Sequence, residues 1–112
     1  IICADWNTCH QNIDLKNWRS NQKNSGFLPH EREWLTKLYE KQGWVDVFRQ
    51  MTTEPDVYTW WSNRGQAWAN NTGWRLDYML VSPGLSGTGT NFAVYRDERF
   101  SDHAPVTIDF NL

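Results

Sequence analysis

Several things are scarce in this 112-residue chain, and each scarcity closes off a class of protein. Cysteine occurs only twice, at Cys3 and Cys9. Two thiols so close together do not make a disulfide scaffold of the secreted kind. Cys9-His10 has no second Cys/His pair at ligand spacing, so it makes a poor zinc motif. Reduced thiols in an intracellular, cytoplasmic setting are expected. No apolar run reaches the roughly 18 residues a membrane helix needs, and no basic-then-apolar leader opens the chain. A strong excess of one charge is also missing. The net charge of −2 excludes a global basic field that would advertise a nucleic-acid partner. Acidic residues are absent between Leu15 and Ser25, where Lys16, Arg19 and Lys23 lie. Three cations are too few for an interaction tail and read first as a solvated loop. An initiator Met is lacking too. The chain opens on Ile1-Ile2-Cys3, and we expect it to be a piece of a longer domain.

Aromatic residues are plentiful. Eight tryptophans and five phenylalanines within 39% hydrophobic content exclude disorder, which goes with few aromatics and high net charge. The length allows one domain or less.

Along the chain, Ile1–Ala4 reads as a buried strand whose tip carries Asp5 and Asn7. Residues 8–26 form a long polar loop, a length that is usually functional or disordered, and Trp18 within it is expected to pack down. The clearest helix starts at Pro29, suited to a first helical position, and Glu31 and Glu33 complement its positive end. Trp34, Leu35 and Leu38 form its stripe, and Gly43 ends it. Val45–Phe48 is a short apolar segment. Strands follow over Val57–Ser62, Trp74–Ser82, Asn91–Arg96 and Val106–Phe110. No internal repeat or linker is evident. One helix and about five strands predict an α/β (α+β) layered fold, one sheet with a flanking helix.

Three segments carry chemistry: Asp5-Trp6-Asn7, Trp74-Arg75-Leu76-Asp77-Tyr78 and Ser101-Asp102-His103-Ala104-Pro105. A carboxylate mid-strand between Leu76 and Tyr78 is costly to bury unless paired. Asp77 therefore either forms an ion pair with Arg75 or another arginine, or accepts a proton from an imidazole and fixes its tautomer. His103 is the natural imidazole. Asp5-x-Asn7 alone is equally a turn capped by its own side chains. On a strand only one of Trp60 and Trp61 can face a given side, so one of them is expected to pack.

These motifs, with His10-Gln11-Asn12-Ile13-Asp14-Leu15-Lys16-Asn17, Asn24-Ser25-Gly26-Phe27, Glu31-Arg32-Glu33-Trp34 and Tyr58-Thr59-Trp60-Trp61-Ser62, resemble the exonuclease III/AP endonuclease branch of the endonuclease/exonuclease/phosphatase superfamily. The likeness runs end to end. Ala4 stands where that family usually has Gly, a small change at a close-packed position. The resemblance implies half of a four-layer α/β-sandwich of the deoxyribonuclease I-like type, with residues 1–112 as the C-terminal portion of one domain and the N-terminal portion absent. It implies Mg²⁺-dependent (or Mn²⁺-dependent) phosphodiester hydrolysis on double-stranded DNA carrying abasic sites or 3′ ends, inside the cell at the nucleoid.

By that resemblance Asp5 activates the attacking water and Asn7 holds Asp5 and the phosphate in register. His103, oriented by Asp77, stabilises charge on the phosphoryl oxygen, and Asp102 lies near the metal. Trp60, Trp74 and Leu76 line the pocket for a sugar lacking its base. Lys16, Asn17, Arg19, Asn21, Lys23, Asn24 and Arg64 face the DNA backbone. The principal metal ligand, a glutamate, belongs to the absent portion, and Mg²⁺ binds poorly through one carboxylate. The sheet face that meets that portion is expected to stand bare, covered by the missing half or by a second copy. A superfamily phosphatase and a non-catalytic DNA-binding fragment are the alternative readings.

Overall fold

The computed structural model describes residues 1–112. Its elements run β1 (Ile2–Asp5), α1 (Pro29–Glu40), β2 (Val45–Asp46), α2 (Val47–Met51), β3 (Trp60–Trp61), β4 (Gly73–Trp74), β5 (Asp77–Val81), β6 (Gly89–Val94) and β7 (Val106–Phe110). Short 3₁₀ turns cover Asn12–Asp14 and Pro83–Leu85. The mixed helix-and-sheet fold expected from sequence is present. The strands, however, form three small antiparallel sheets in place of one continuous sheet: β1-β5-β2, β3-β4 and β6-β7. Isolated bridges Leu15–Trp74 and Trp60–His103 link the pieces.

The break has a side-chain cause. The expected strand from Trp74 to Ser82 is interrupted at Arg75–Leu76, where the Thr59 hydroxyl accepts the N–H groups of Leu76 (3.0 Å) and Asp77 (3.2 Å). A hydroxyl takes the place of a ladder carbonyl, and the backbone turns there. The segment expected over Val57–Ser62 shortens to β3, with the Thr59 N–H donating to the Trp74 carbonyl at 2.9 Å and its carbonyl accepting from Ala104 N–H at 2.8 Å. Val45–Phe48 divides between β2 and α2 because Asp46 caps the helix, its carboxylate accepting from Arg49 N–H at 3.4 Å, a usual N-cap role.

Helix α1 follows its sequence signals. Glu31 reaches back so that its carboxylate accepts the N–H groups of Gly26 (2.8 Å) and Leu28 (3.0 Å), satisfying donors that a helix start leaves open. At the other end Gly43 takes φ 77°, the left-handed region that favours glycine. This lets the Trp44 N–H return to the Leu38 carbonyl at 3.2 Å.

The core is divided among three small clusters. Leu35, Tyr78 and Leu80 join α1 to β5. Cys9, Leu15, Phe27 and Leu76 gather the polar loop, with Trp18, Trp60 and Trp74 against them. Tyr58, Trp61 and Ala104 tie β3 to the start of β7. Trp18 thus packs down as expected. Only 18 of 112 residues are fully buried, few for the length, because one face of the β1-β5 ladder has no cover. Ile1 (51%) and Ile2 (39%) are exposed at its edge. A shallow groove of about 290 Å³ runs over Cys3, Ala4, Met79, Ala104, Pro105 and Val106. The bare apolar face predicted from sequence is present.

Candidate active site

Antiparallel pairing of β1 with β5 places Asp5 directly opposite Asp77. Like charges facing each other across a ladder are destabilising unless a cation intervenes. His103 stands between them. Its Nδ1 lies 2.9 Å from Asp77 Oδ2 and its Nε2 lies 3.6 Å from Asp5 Oδ2. One ligand atom from each of the three residues falls within 4.8 Å of the others. The acids and imidazole of three distant segments therefore meet at one point on the sheet rim.

Each member is held by backbone. The Asn7 N–H donates to Asp5 Oδ1 at 2.8 Å, and Asn7 sits at φ 51°, a conformation Asn tolerates better than most residues. The turn reading of Asp5-x-Asn7 is thus borne out, with Asp5 at the same time part of the rim cluster. His103 follows a segment laid against β3: Trp61 N–H donates to Asp102 C=O (3.1 Å) and Ala104 N–H to Thr59 C=O (2.8 Å). The Ser101 hydroxyl accepts His103 N–H at 2.9 Å. Partial burial alone would lower the His103 pKa. The hydrogen bond to Asp77, with the charges of Asp77, Asp5 and Asp102, more than reverses this and holds it above the ordinary 6.5.

The alternative pairing of Asp77 with Arg75 is overturned. Arg75 is 1% exposed and turns the other way, where its Nε meets Asp14 Oδ1 at 3.1 Å and its Nη2 meets Asp46 Oδ2 at 2.6 Å. Arg49 closes the same network on Asp14. Burial pushes the Asp14 carboxyl up, but Arg75 and Arg49 outweigh it and the group stays below the usual carboxylate range. Asp14 and Asp46 are the residues sequence reasoning missed. Their only signal was a buried arginine in need of two carboxylates.

Beside the cluster opens a cleft of about 490 Å³ that brings Trp60, Trp74 and Leu76 together with Asn7, Asp102 and His103. The two indoles meet edge to face, centroids 6.2 Å apart. Of the neighbouring tryptophans, Trp61 is the buried one, at 0% exposure, and Trp60 faces the cleft. Gly26 forms part of the wall. A Cβ there would come within 2.9 Å of the Trp74 ring, and its φ of 97° suits glycine alone. Asp102 lies outside the Asp5–Asp77–His103 group. Its Oδ2 accepts the Trp60 indole N–H at 3.1 Å, leaving the second oxygen without a protein partner.

The seven residues proposed to face a DNA backbone are placed less uniformly. Asn17, Asn21 and Asn24 are stitched to one another: Asn21 Nδ2 donates to Asn17 C=O (2.7 Å) and Asn24 Nδ2 to Asn21 Oδ1 (3.0 Å). Lys16 pairs with Asp56 at 3.0 Å. The Arg19 guanidinium lies 4.8 Å from the Trp18 ring centroid. Lys23 and Arg64 are exposed. Ser25 and Gly26, at the end of this loop, line the cleft, so the loop leads into it.

Comparisons with known proteins show the chain's family. The sequence profile of the Endonuclease/Exonuclease/phosphatase family matches residues 1–103. The chain is 42% identical over its whole length to an exodeoxyribonuclease of Bacillus subtilis (strain 168), of which it covers 44%. It is 40% identical over 96% of its length to the DNA repair nuclease APEX1 of Danio rerio, covering 35% of that protein. The structure superposes on the AP endonuclease LMAP of Leishmania major with TM-score 0.85 and 32% identity, over 95% of this chain and 33% of that one. The chain thus spans well under half the length of the relatives it matches.

Proposed function

This chain belongs to the Endonuclease/Exonuclease/phosphatase family, and from that premise we propose that it is the C-terminal portion of a Mg²⁺-dependent nuclease hydrolysing DNA phosphodiesters at abasic sites or 3′ ends. The observation that carries the proposal is the meeting of Asp5, Asp77 and His103 within 4.8 Å beside an aromatic cleft. In this reading Asp5 takes a proton from the water whose oxygen forms the new bond to phosphorus. His103, held charged by Asp77, donates to a non-bridging oxygen as negative charge builds there, the electrostatic contribution such sites make to phosphoryl transfer. The bond from phosphorus to the sugar oxygen breaks, and that oxygen leaves as an alcohol by taking a proton from solvent water, while Asp5 returns its proton to solvent. Asn7 keeps Asp5 in register through its own N–H. Trp60, Trp74 and Leu76 receive a sugar without a base, whose extrusion from a duplex costs less than that of a paired nucleotide.

The donor set suits a hard divalent cation in part. Asp102 retains a free carboxylate oxygen beside the cleft, a single hard oxygen donor that needs further oxygen ligands to hold Mg²⁺. Asp102 would hold it together with ligands from the rest of the longer protein. When bound, the cation would supply Lewis-acid stabilisation of the phosphoryl oxygens. The same remainder, or a second copy of this chain, would cover the bare β1-β5 face. A monomer by light scattering for this chain alone rules out the second copy. The protein would act on nucleoid DNA in the cytoplasm, and no helix here is long and apolar enough to cross a membrane.

Incision of an abasic duplex with and without Mg²⁺ tests the reading. We expect Mg²⁺-dependent cleavage that Asp5→Ala reduces by at least about a hundredfold, the scale of a lost general base. Salt-sensitive binding by the longer protein with no cleavage under any metal would leave a DNA-binding module and overturn the catalytic assignment.

A further inference from the structure

Beyond the cleft lies a cation that the assignments above leave out. Arg99 is exposed, yet it is fixed: its Nη2 donates to Asn63 Oδ1 at 2.9 Å, its Nε to the Ser101 carbonyl at 3.4 Å, and its guanidinium lies 5.0 Å from the Trp68 ring centroid. Trp68 is itself held, with Arg96 at 4.3 Å from its ring and Trp61 at 4.7 Å between centroids. Of the other guanidinium groups held in place, Arg49 and Arg75 are neutralised by Asp14 and Asp46, whereas Arg32 and Arg96 meet neutral partners but line neither the aromatic cleft nor the groove beside Arg99. Arg99 has neutral partners only, so its charge is oriented and uncompensated. Its Nη1 donors remain unengaged. A planar fork of this kind matches phosphate geometry and loses little entropy on binding because its position is already set.

The surroundings give that fork a direction. Arg99, Asn63, Ser101 and Asp102 border an open groove of about 440 Å³, and Asp102 also borders the aromatic cleft. The two depressions adjoin at Asp102. Of the nearby acids, Asp97 lines a different groove with Tyr95, Glu98 lines neither depression, and Asp102, one oxygen of which accepts the Trp60 indole N–H, borders the groove without pairing with Arg99. A strand whose reacting phosphate lies at Asp5 and His103 therefore runs past Asp102 onto Arg99.

Resting on the nuclease reading, we propose that Arg99, held by Asn63 and Trp68, is a phosphate-binding residue for the nucleic-acid strand that enters the cleft. It would anchor that strand on the Asp102 side, while the loop from Lys16 to Asn24 contacts the duplex by way of Ser25 and Gly26. Phosphate contacts of this type fix register without reading sequence.

The test is binding of an abasic duplex by the full chain without Mg²⁺ over a series of salt concentrations. Each phosphate neutralised contributes close to one unit of slope in log affinity against log salt. Arg99→Ala is expected to weaken binding several-fold at low salt and to reduce the slope by about 1. Arg99→Lys keeps the charge and is expected to restore most of the slope. Lys37→Ala, on the far helix, is expected to leave the slope unchanged. An unaltered slope in a folded Arg99→Ala variant overturns the anchor and leaves the nuclease reading standing. Absence of salt-dependent binding by the unaltered chain overturns both.

Discussion

Arg75 and Asp77 stand two positions apart in the chain, and each anchors a cluster of carboxylates and cations. Around Arg75 the network is largely buried and closed: Arg75 meets both Asp14 and Asp46, and Arg49 meets Asp14 from the other side. Around Asp77 the cluster is half-exposed and open: one imidazole serves two carboxylates, and Asp5 and Asp77 also border the groove over the uncovered ladder. The same residue chemistry thus serves two ends. A closed network fixes the turn between β4 and β5, and an open one at the rim is free to meet a substrate. What separates them is whether every donor and acceptor is already used.

Breaking the closed network should have the largest effect on stability. Arg75→Met leaves Asp14 and Asp46 as buried carboxylates without their main cation, and we expect a loss of about 3–5 kcal/mol in urea unfolding. A loss below about 1 kcal/mol would mean that water or Arg49 compensates, and that the network is less closed than its geometry.

The open cluster should respond in the opposite sense. Asp77→Asn is expected to cost under about 1 kcal/mol, as solvent-accessible ion pairs usually do, while moving the His103 titration back toward 6.5. A proton-detected titration of the imidazole checks it. No movement in that titration would remove Asp77 as the orienting group.

The two histidines sharpen the comparison by pH. Burial lowers the His10 pKa, more than the nearby Asp14 and Asp46 raise it. His103 lies above 6.5 because Asp77 and its acidic neighbours outweigh partial burial. The His103 contribution to stability is therefore fully present below about 6.5 and is lost as pH rises through its raised folded value. His10, in contrast, weakens the fold as pH falls below about 6.5 toward its lowered value. Titrations of the two rings on opposite sides of 6.5 are the expected result, and a His103→Gln variant should lose only the high-pH arm of the stability profile. The smallest effect should come from the α1 surface, where Glu33 and Lys37 pair at 3.4 Å in full contact with water. Lys37→Ala should leave the melting curve unchanged within error.

The rim cluster was legible in the sequence because its members are scarce types at strand ends, where only a few partners compete. Asp77 with His103 was readable as a mid-strand carboxylate in need of a partner, and the strand period showed that one of Trp60 and Trp61 packs without showing which. The closed network was less so. A mid-segment arginine announces that it needs carboxylates, but 61 residues separate Arg75 from Asp14 and nothing in the period points across that distance. The break at Arg75–Leu76 was hidden for a similar reason, since it depends on the Thr59 hydroxyl replacing a ladder bond. Arg99 sits in a stretch rich in charges of both signs, and only its seat on Trp68 marks it out.

The two thiols lie in opposite surroundings, and this makes the bare face measurable. Cys9 is sealed in the core, donating to the carbonyls of Asp14 and Arg75 at 3.3 and 3.2 Å, and burial pushes its pKa up. Cys3 lies exposed opposite Met79 on the uncovered ladder. An alkylating reagent will therefore modify a single position in the native chain, and its rate will report how much of that face is occupied. Whatever settles there, the other portion of the domain or a second copy, will be counted by the protection of one sulfur atom.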